Sequence, residues 1–299
     1  MKKIAVTRLS GVVGKEFVKE LVKEFSVYDL YHTTPTKTKS KKIVNCKLDL
    51  TNLPKISKVL GEISPDIILH LAAITHIDRC EEDKLNGKNG IVWKVNVDAT
   101  KEISKYAQKR KKKLVFFSTE CVFDGVRRSN RENDTPNPKN WYGTTKREAE
   151  NAVILSRNST IIRSVIAYKE NDEGKTLLGA ILNQLKTGSK FSMVNDQMTN
   201  PTYIQDIVNG TVKAIKKDVS GILHIVTDTR ITPYNFALKV AKHFGYDSKT
   251  IEGKSLLKYL GKKRAKTRLK NSCLNGRKSS QTLNFTPMTV DEVFDRIQL

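Results

Sequence analysis

Along the first two-thirds of the chain, short β-branched and aliphatic runs alternate with stretches whose apolar positions recur every three to four residues. Strands alternating with helices in this way build a parallel sheet covered by helices on both faces. The runs predict strands at 3–7, 26–31, 43–47, 66–71, 114–118 and 160–163. The clearest helix covers 95–109, where Val95, Ala99, Ile103, Tyr106 and Ala107 form one stripe and lysines occupy the other face. Another opens near Leu53, where Pro54 suits a first turn and Ile56, Val59 and Leu60 make the stripe. A third spans 140–155. Beyond Ser164 the pattern loosens into helices at 177–185, 204–216 and 234–244 and strands at 190–194 and 222–226. The expected architecture is a doubly wound α/β sheet with a smaller C-terminal lobe beginning after residue 164.

Composition narrows the class. At 299 residues, with 38% hydrophobic and 28% charged positions, the chain is large enough for one big α/β domain or two unequal lobes and is not depleted enough to stay disordered. No stretch approaches the roughly 20 apolar residues of a membrane span. Met1-Lys2-Lys3 leads straight into a strand-like run and not into a signal-peptide core, so the expectation is a soluble, cytoplasmic protein. Cys46, Cys80, Cys121 and Cys273 lie far apart, without a CxxC pair or histidines at ligand spacing, which argues against a disulfide framework or a metal site. Lys+Arg 54 against Asp+Glu 31 leaves a net charge of +23. That excess is spread over 37–47, 109–113 and 254–278 without a nucleic-acid-binding motif, so it reads as a lysine-rich solvated surface.

The first strand runs into Thr7-Arg8-Leu9-Ser10-Gly11-Val12-Val13-Gly14 and then a helical stretch through Phe17, Val18, Leu21 and Val22. A strand, tight turn and helix opening place backbone N–H groups and a positive helix end where a pyrophosphate can sit. Gly11 permits close approach of phosphate, and Gly14 permits close packing of helix on strand. Asp49 and Leu50 after the third strand, and Leu71, Ala72 and Ala73 after the fourth, fall at the carboxyl ends where open α/β sheets bind ligands. Residues 1–164 are thus expected to form an NAD(P)-binding Rossmann domain, and 165–299 mainly a substrate-binding lobe, with 203–244 partly returning to the first. An NAD-preferring site presents an acid at the end of the second strand; here Tyr31-His32-Thr33-Thr34 is followed by Lys37 and Lys39, and Asp29 falls too early. With Arg8 in the turn, this predicts NADPH over NADH, because a 2′-phosphate needs cationic partners.

Tyr142 and Lys146, four apart at a helix start, project from one face. A phenol ionises near pH 10, and a fixed ammonium together with a nicotinamide's charge would lower that value. The strand before it ends in Phe116-Phe117-Ser118-Thr119, which sets hydroxyls beside the phenol. Together these residues suit a general acid for carbonyl reduction.

With these residues in place the chain resembles the extended short-chain dehydrogenase/reductases, and within them the dTDP-4-dehydrorhamnose reductase family. The likeness runs through Ser10 to Gly14, His70-Leu71-Ala72-Ala73-Ile74-Thr75-His76-Ile77-Asp78 with Glu81, and Asn96-Val97-Asp98-Ala99-Thr100. It continues in Ser118-Thr119-Glu120-Cys121-Val122-Phe123-Asp124-Gly125, Tyr142-Gly143-Thr144-Thr145-Lys146, Asn200-Pro201-Thr202-Tyr203-Ile204-Gln205-Asp206 and Arg268-Leu269-Lys270-Asn271-Ser272-Cys273-Leu274. The resemblance implies hydride transfer from NAD(P)H to the C4 ketone of a nucleotide-linked 4-keto-6-deoxy sugar, forming dTDP-L-rhamnose. Tyr142 would protonate the alkoxide, Lys146 would hold the nicotinamide ribose and lower the Tyr142 pKa, and Thr119 would bond the same oxygen, with Ser118 in support. Arg8, Ser10, Gly11, Val12, Val13, His32, Thr33, Asp49, Leu50, Leu71, Ala72 and Ala73, with Tyr142 and Lys146, would hold the cofactor. Thr75, Val122, Phe123 and Arg268 would meet the substrate. A homodimer is the assembly such enzymes often adopt.

The chain departs from that family in three places: Arg8 stands at the first glycine, Ile166 at a sugar-contacting tryptophan, and Leu269 at a proline. A non-catalytic NADP-binding regulator resembling the regulatory subunit of methionine adenosyltransferase also lacks that tryptophan and is the alternative; the Tyr142, Lys146 and Thr119 set favours the enzyme. His70, His76, Trp93 and Trp141 read as packing or hydrogen-bonding residues, Asn96 as a bridge from its helix, and Asp124 and Asp206 as loop and cap residues.

Overall fold

The computed structural model describes residues 1–38, 40–170 and 174–297. The chain divides into two units: Met1–Val122, Asn140–Arg163 and Thr211–Leu223 in the first, and Phe123–Lys139, Ser164–Gly210 and His224–Leu299 in the second. The segment Phe123–Lys139 thus groups with the later part of the chain although it precedes residue 164, and the returning piece is Thr211–Leu223.

The first unit contains β1 (Lys3–Thr7), α1 (Val12–Glu24), β2 (Ser26–Tyr31), β3 (Ile43–Lys47), α2 (Leu53–Ile63) and β4 (Ile67–His70). It continues through α3 (Ile77–Asp83), α4 (Ile91–Trp93), α5 (Ala99–Lys109), β5 (Lys113–Thr119), α6 (Trp141–Val153) and β6 (Ser159–Ser164). A seventh strand (Gly221–His224) completes a sheet whose spatial order, written by residue, is 221–224, β6, β5, β4, β1, β2, β3. The β1–β2, β2–β3, β1–β4 and β4–β5 pairs are parallel. The predicted doubly wound α/β sheet is what forms, and β4 is buried at every position, as a strand covered on both faces must be. One side of the sheet buries Ala5, Ile56, Leu60, Ile103, Ala107, Leu114 and Phe116 in a single apolar cluster.

The expected helix at 95–109 is interrupted. Lys94–Asp98 form a π-turn before α5 begins. Asn96, within that turn, accepts from the Ile74 N–H (2.8 Å) and donates to the Ile74 carbonyl (3.0 Å) and the Thr145 hydroxyl (3.1 Å). It bridges the loop after β4 to α6, and π-turns of this kind recur at functional sites.

The second unit holds two short parallel pairs, β7 (Ala167–Tyr168) with β9 (Thr202–Tyr203) and β8 (Phe191–Val194) with β11 (Ile251–Lys254); β10 is the strand 221–224. Helices α7 (Leu177–Thr187), α9 (Pro233–His243) and α12 (Val290–Phe294) contribute to its core, while α8 (Ile204–Lys216) contains the boundary between units. Tyr168 packs edge-on against Phe236 (5.3 Å between centroids), which meets Phe294 at 5.6 Å. The remaining helices are α10 (Leu256–Ala265) and α11 (Arg277–Leu283). Among the described residues no helix is long and apolar enough to cross a membrane, and no three His, Cys, Asp or Glu side chains are placed to hold a metal.

Candidate active site

Strand order puts β1 between β2 and β4, so the direction of winding reverses between β1 and β4. Ligands of open α/β sheets bind at such a crevice, outside the strand ends. A cavity of about 760 Å³ opens there. Arg8, Ser10, Gly11, His32, Thr33, Asp49, Leu50, Ala72 and Ala73 line it, as does Thr75, expected at the substrate. Val12 and Val13 form the first turn of α1, and Leu71 donates its N–H to the Thr7 hydroxyl at 3.0 Å; none of the three is among the cavity walls. His76 and Val95, read from the sequence as packing positions, also line it, as do Arg79 and Ile91, which had no sequence signal because α3 and α4 are too short to show a periodicity.

The turn fits a dinucleotide phosphate. A Cβ on Gly14 would lie 2.5 Å from the carbonyl oxygens of both Arg8 and Leu9, so only glycine lets α1 pack this closely on the turn. A Cβ on Gly11 would meet the Arg8 carbonyl oxygen at 3.3 Å. Gly11 caps α1 with no side-chain hydrogen bond, and the first turn of that helix carries no acid. Its positive end is therefore left for an anion.

Arg8 does not sit as expected. Its backbone is left-handed (φ 59°), a conformation unfavourable for a side chain bearing a Cβ. Its guanidinium donates to the Ala73 carbonyl at 2.5 Å. The side chain therefore leans over the end of β4, whereas a ribose 2′-phosphate is expected beside β2, on the opposite side of β1. Lys37 is exposed, and Lys39 lies outside the described residues. Asp29 is buried in β2, where it accepts from the N–H groups of Leu9 (3.3 Å) and Thr36 (2.8 Å), so it serves the fold. Asp49 is held by the Thr51 N–H (2.9 Å) and hydroxyl (2.8 Å), bonds that lower its pKa, and stands 3.9 Å from His32 Nε2.

Helix α6 presents the proton-transfer residues, and its start is fixed twice. The Asn140 side chain caps it by accepting from the Gly143 N–H (2.7 Å), and Glu81 accepts from the Trp141 N–H (2.5 Å). The helix is then stitched to β5. Lys146 donates to the Phe117 carbonyl at 2.6 Å and lies 3.9 Å from the centre of the Phe116 ring. Ser118 donates to Glu150 at 2.6 Å, and Glu150 takes a two-pronged bond from Arg163 at 2.8 and 2.7 Å, with both charged groups fully buried. Ser118 is thus committed to this ion pair.

Burial pushes the Lys146 ammonium down to about 7, with Glu150 opposing. Tyr142 moves the other way from expectation. Burial raises its phenol well above 10, and Cys121 and Glu120 add to the rise, while a hydrogen bond with Thr119 opposes it. A low-dielectric surrounding disfavours phenolate more than this single bond favours it. Thr119 also lies 2.7 Å from Glu120 Oε2 and accepts from the Cys121 N–H at 3.2 Å. His70 is held down to about 3 by burial, then by Lys146. Its Nδ1 accepts from Thr7 (2.9 Å) while Nε2 donates to Thr100 (3.0 Å), whose own proton goes to the Asn96 carbonyl. It is a hydrogen-bonding residue.

Of the other residues expected at a substrate, Val122 is fully buried in the first unit. Phe123 and Arg268 belong to the second unit. Phe123 packs edge-on against His224 at 6.2 Å, and Arg268 donates to the Thr267 hydroxyl at 2.7 Å.

The chain is similar to known proteins over nearly its whole length. The spore coat polysaccharide biosynthesis protein SpsK of Bacillus subtilis is 28% identical over 253 residues, covering 83% of this chain and 81% of its own. The dTDP-4-dehydrorhamnose reductase of Aggregatibacter actinomycetemcomitans is 25% identical over 300 residues, with 96% and 95% covered. A crystal structure of dTDP-4-dehydrorhamnose reductase from Bacillus anthracis in complex with NADP superposes with a TM-score of 0.84 at 25% identity, covering 99% of this chain and 98% of that one. A family model described as RmlD substrate binding domain matches residues 1–297, nearly the whole chain through both units, so the protein belongs to that family.

Proposed function

We propose that the protein is an NADPH-dependent reductase of the C4 ketone of a nucleotide-linked 4-keto-6-deoxy sugar, with dTDP-4-dehydro-L-rhamnose as the leading substrate. The observation that carries this reading is a buried phenol, Tyr142, one helical turn from the buried Lys146 on α6, in the same unit as a cavity suited to a dinucleotide. The NADP-bound relative and the reductases among the similar proteins support the cofactor and the substrate class.

The dinucleotide, when bound, supplies the hydride. The Gly11 turn and the start of α1 would hold its phosphates, and His32 and Thr33 would face its ribose, where β2 carries no exposed acid. Tyr142 donates its proton to the developing alkoxide. A phenol whose pKa is raised stays protonated at neutral pH, so the acid is always loaded when substrate arrives. Lys146, poised near pH 7, holds the nicotinamide ribose and supplies positive charge beside the phenolate that forms.

The test is NADPH oxidation with a panel of nucleotide-linked 4-keto sugars. Tyr142→Phe should reduce kcat by about 10²- to 10⁴-fold, the usual worth of a positioned acid, with cofactor affinity unchanged. Tight NADPH binding without turnover of any sugar would favour the regulatory-subunit alternative, and equal turnover in Tyr142→Phe would falsify the assignment of the acid.

A further inference from the structure

From position 253 to 290 the chain carries ten lysines and arginines and not one acid. Helix α10 lies near the start of this stretch, within the second unit, and none of its residues is buried. It is nevertheless well anchored. Ser255 caps it by accepting from the Lys258 N–H (3.3 Å), and Asp196 accepts from the Leu256 N–H (2.6 Å). Leu256 and Leu260, four apart and half-buried, form its inner side. The outer side is centred on Lys258, with Leu257 and Tyr259 flanking it at 56% and 47% exposure. Beyond the break at Gly261 (φ 76°), Lys262, Lys263, Lys266 and Lys270 are exposed. Lys254 is paired with Glu252 (3.1 Å), but among the described residues neither Lys258 nor any of these four lysines is in an ion pair. A helical stretch of this length spans roughly 15 Å, so apolar and cationic side chains share one small patch.

We propose that α10 and the lysines that follow it dock on an anionic phospholipid bilayer, with Leu257 and Tyr259 inserted at headgroup depth and the lysines among the phosphates. Charge sets the sign of the partner. Five unpaired lysines in a stretch without acids attract a polyanion and repel a basic surface. The exposed apolar pair decides which polyanion. Leu257 gains little against the phosphates of a nucleic acid, whereas at the boundary of headgroups and acyl chains it leaves water, and a ring with a hydroxyl, as in Tyr259, suits the same depth. Among the described residues no helix can cross a membrane, so the contact lies on the surface. Each lysine near an anionic bilayer is worth about fivefold in partitioning, so the attachment is reversible and falls with salt. This role needs neither cofactor nor sugar and stands apart from the reductase reading.

Sedimentation of the full chain with vesicles tests this. Vesicles containing about one-third phosphatidylglycerol should bind the wild type at least about tenfold more tightly than phosphatidylcholine alone, and high salt should remove the difference. That comparison stands without any variant. Lys262→Glu with Lys263→Glu should weaken binding to the anionic vesicles at least about tenfold. Leu257→Ser with Tyr259→Ser leaves the charge unchanged and should weaken it about fivefold. All four positions are exposed, and circular dichroism together with an NADPH titration shows that the variants remain folded. Equal binding of the wild type to both vesicles, or none to either, overturns the proposal, as does anionic-vesicle binding that either folded double variant retains at wild-type strength. A single-stranded oligonucleotide held more tightly than the anionic vesicles, and released by the charge-reversed variant, would assign the patch to nucleic acid and overturn it too.

Discussion

Lys146 sets function against stability, and the size of the conflict follows from its surroundings. Its ammonium is buried between the Phe117 carbonyl and the Phe116 ring, and its pKa falls from 10.5 to about 7. That fall corresponds to about 5 kcal/mol favouring the neutral amine in the folded state. The folded pKa lies below the unfolded one, so between these values the unfolded chain binds more protons and stability rises with pH. The full penalty is present below pH 7 and disappears as pH rises towards 10.5. Lys146→Met removes the titration and should make the protein a few kcal/mol more stable than wild type at pH 6, while abolishing activity. Both tryptophans of the chain, Trp93 and Trp141, lie in the first unit with ring centres 5.7 Å apart, so tryptophan fluorescence in urea reads that unit alone. Between pH 7 and 9 the wild type should gain about 2 kcal/mol relative to the variant. A difference that stays flat across this range would refute the reasoning, because a lysine ionising normally contributes no such slope.

Arg8→Gly should relieve left-handed strain of about 1 kcal/mol and weaken NADPH and NADH by the same factor, because the guanidinium leans to Ala73; titrating both cofactors checks this, and a collapse of the NADPH preference alone would place Arg8 at the 2′-phosphate. Arg163→Met leaves the buried Glu150 carboxylate with the Ser118 hydroxyl and the more distant Arg147 (3.6 Å), and should destabilise the first unit by about 3–5 kcal/mol in the same urea assay. The double variant Glu150→Leu, Arg163→Met should recover most of that loss; if it is as unstable as the single variant, the pair's neighbours and not its charge explain the effect.

The strands of the first unit were legible because a parallel strand buried on both faces is a continuous apolar run, as Ile67–His70 is. The helix at 95–109 was read as continuous from its start, whereas Lys94–Asp98 form a π-turn in which Asn96 bonds Ile74 and Thr145, residues 22 and 49 positions away. Helix α3 escaped notice because its seven residues are capped by the His76 ring, which accepts from the Arg79 N–H at 3.3 Å, and not by a serine, threonine, aspartate or asparagine. In α10 the lysine-rich stretch is broken by Gly261 at φ 76°, so no apolar stripe builds up.

What the amino-acid order determined by itself is local: alternating strands and helices, a glycine turn before α1, and a tyrosine and lysine one helical turn apart. These depend on neighbours within a few positions, where backbone sterics and helical periodicity act directly. Only the tertiary structure decided that β1 would lie between β2 and β4, that Arg8 would turn towards Ala73, and that Tyr142 and Lys146 would be driven in opposite directions on the pH scale. Desolvation acts on whichever form is charged, and how strongly it acts depends on the rings, carbonyls and carboxylates that distant segments bring into contact.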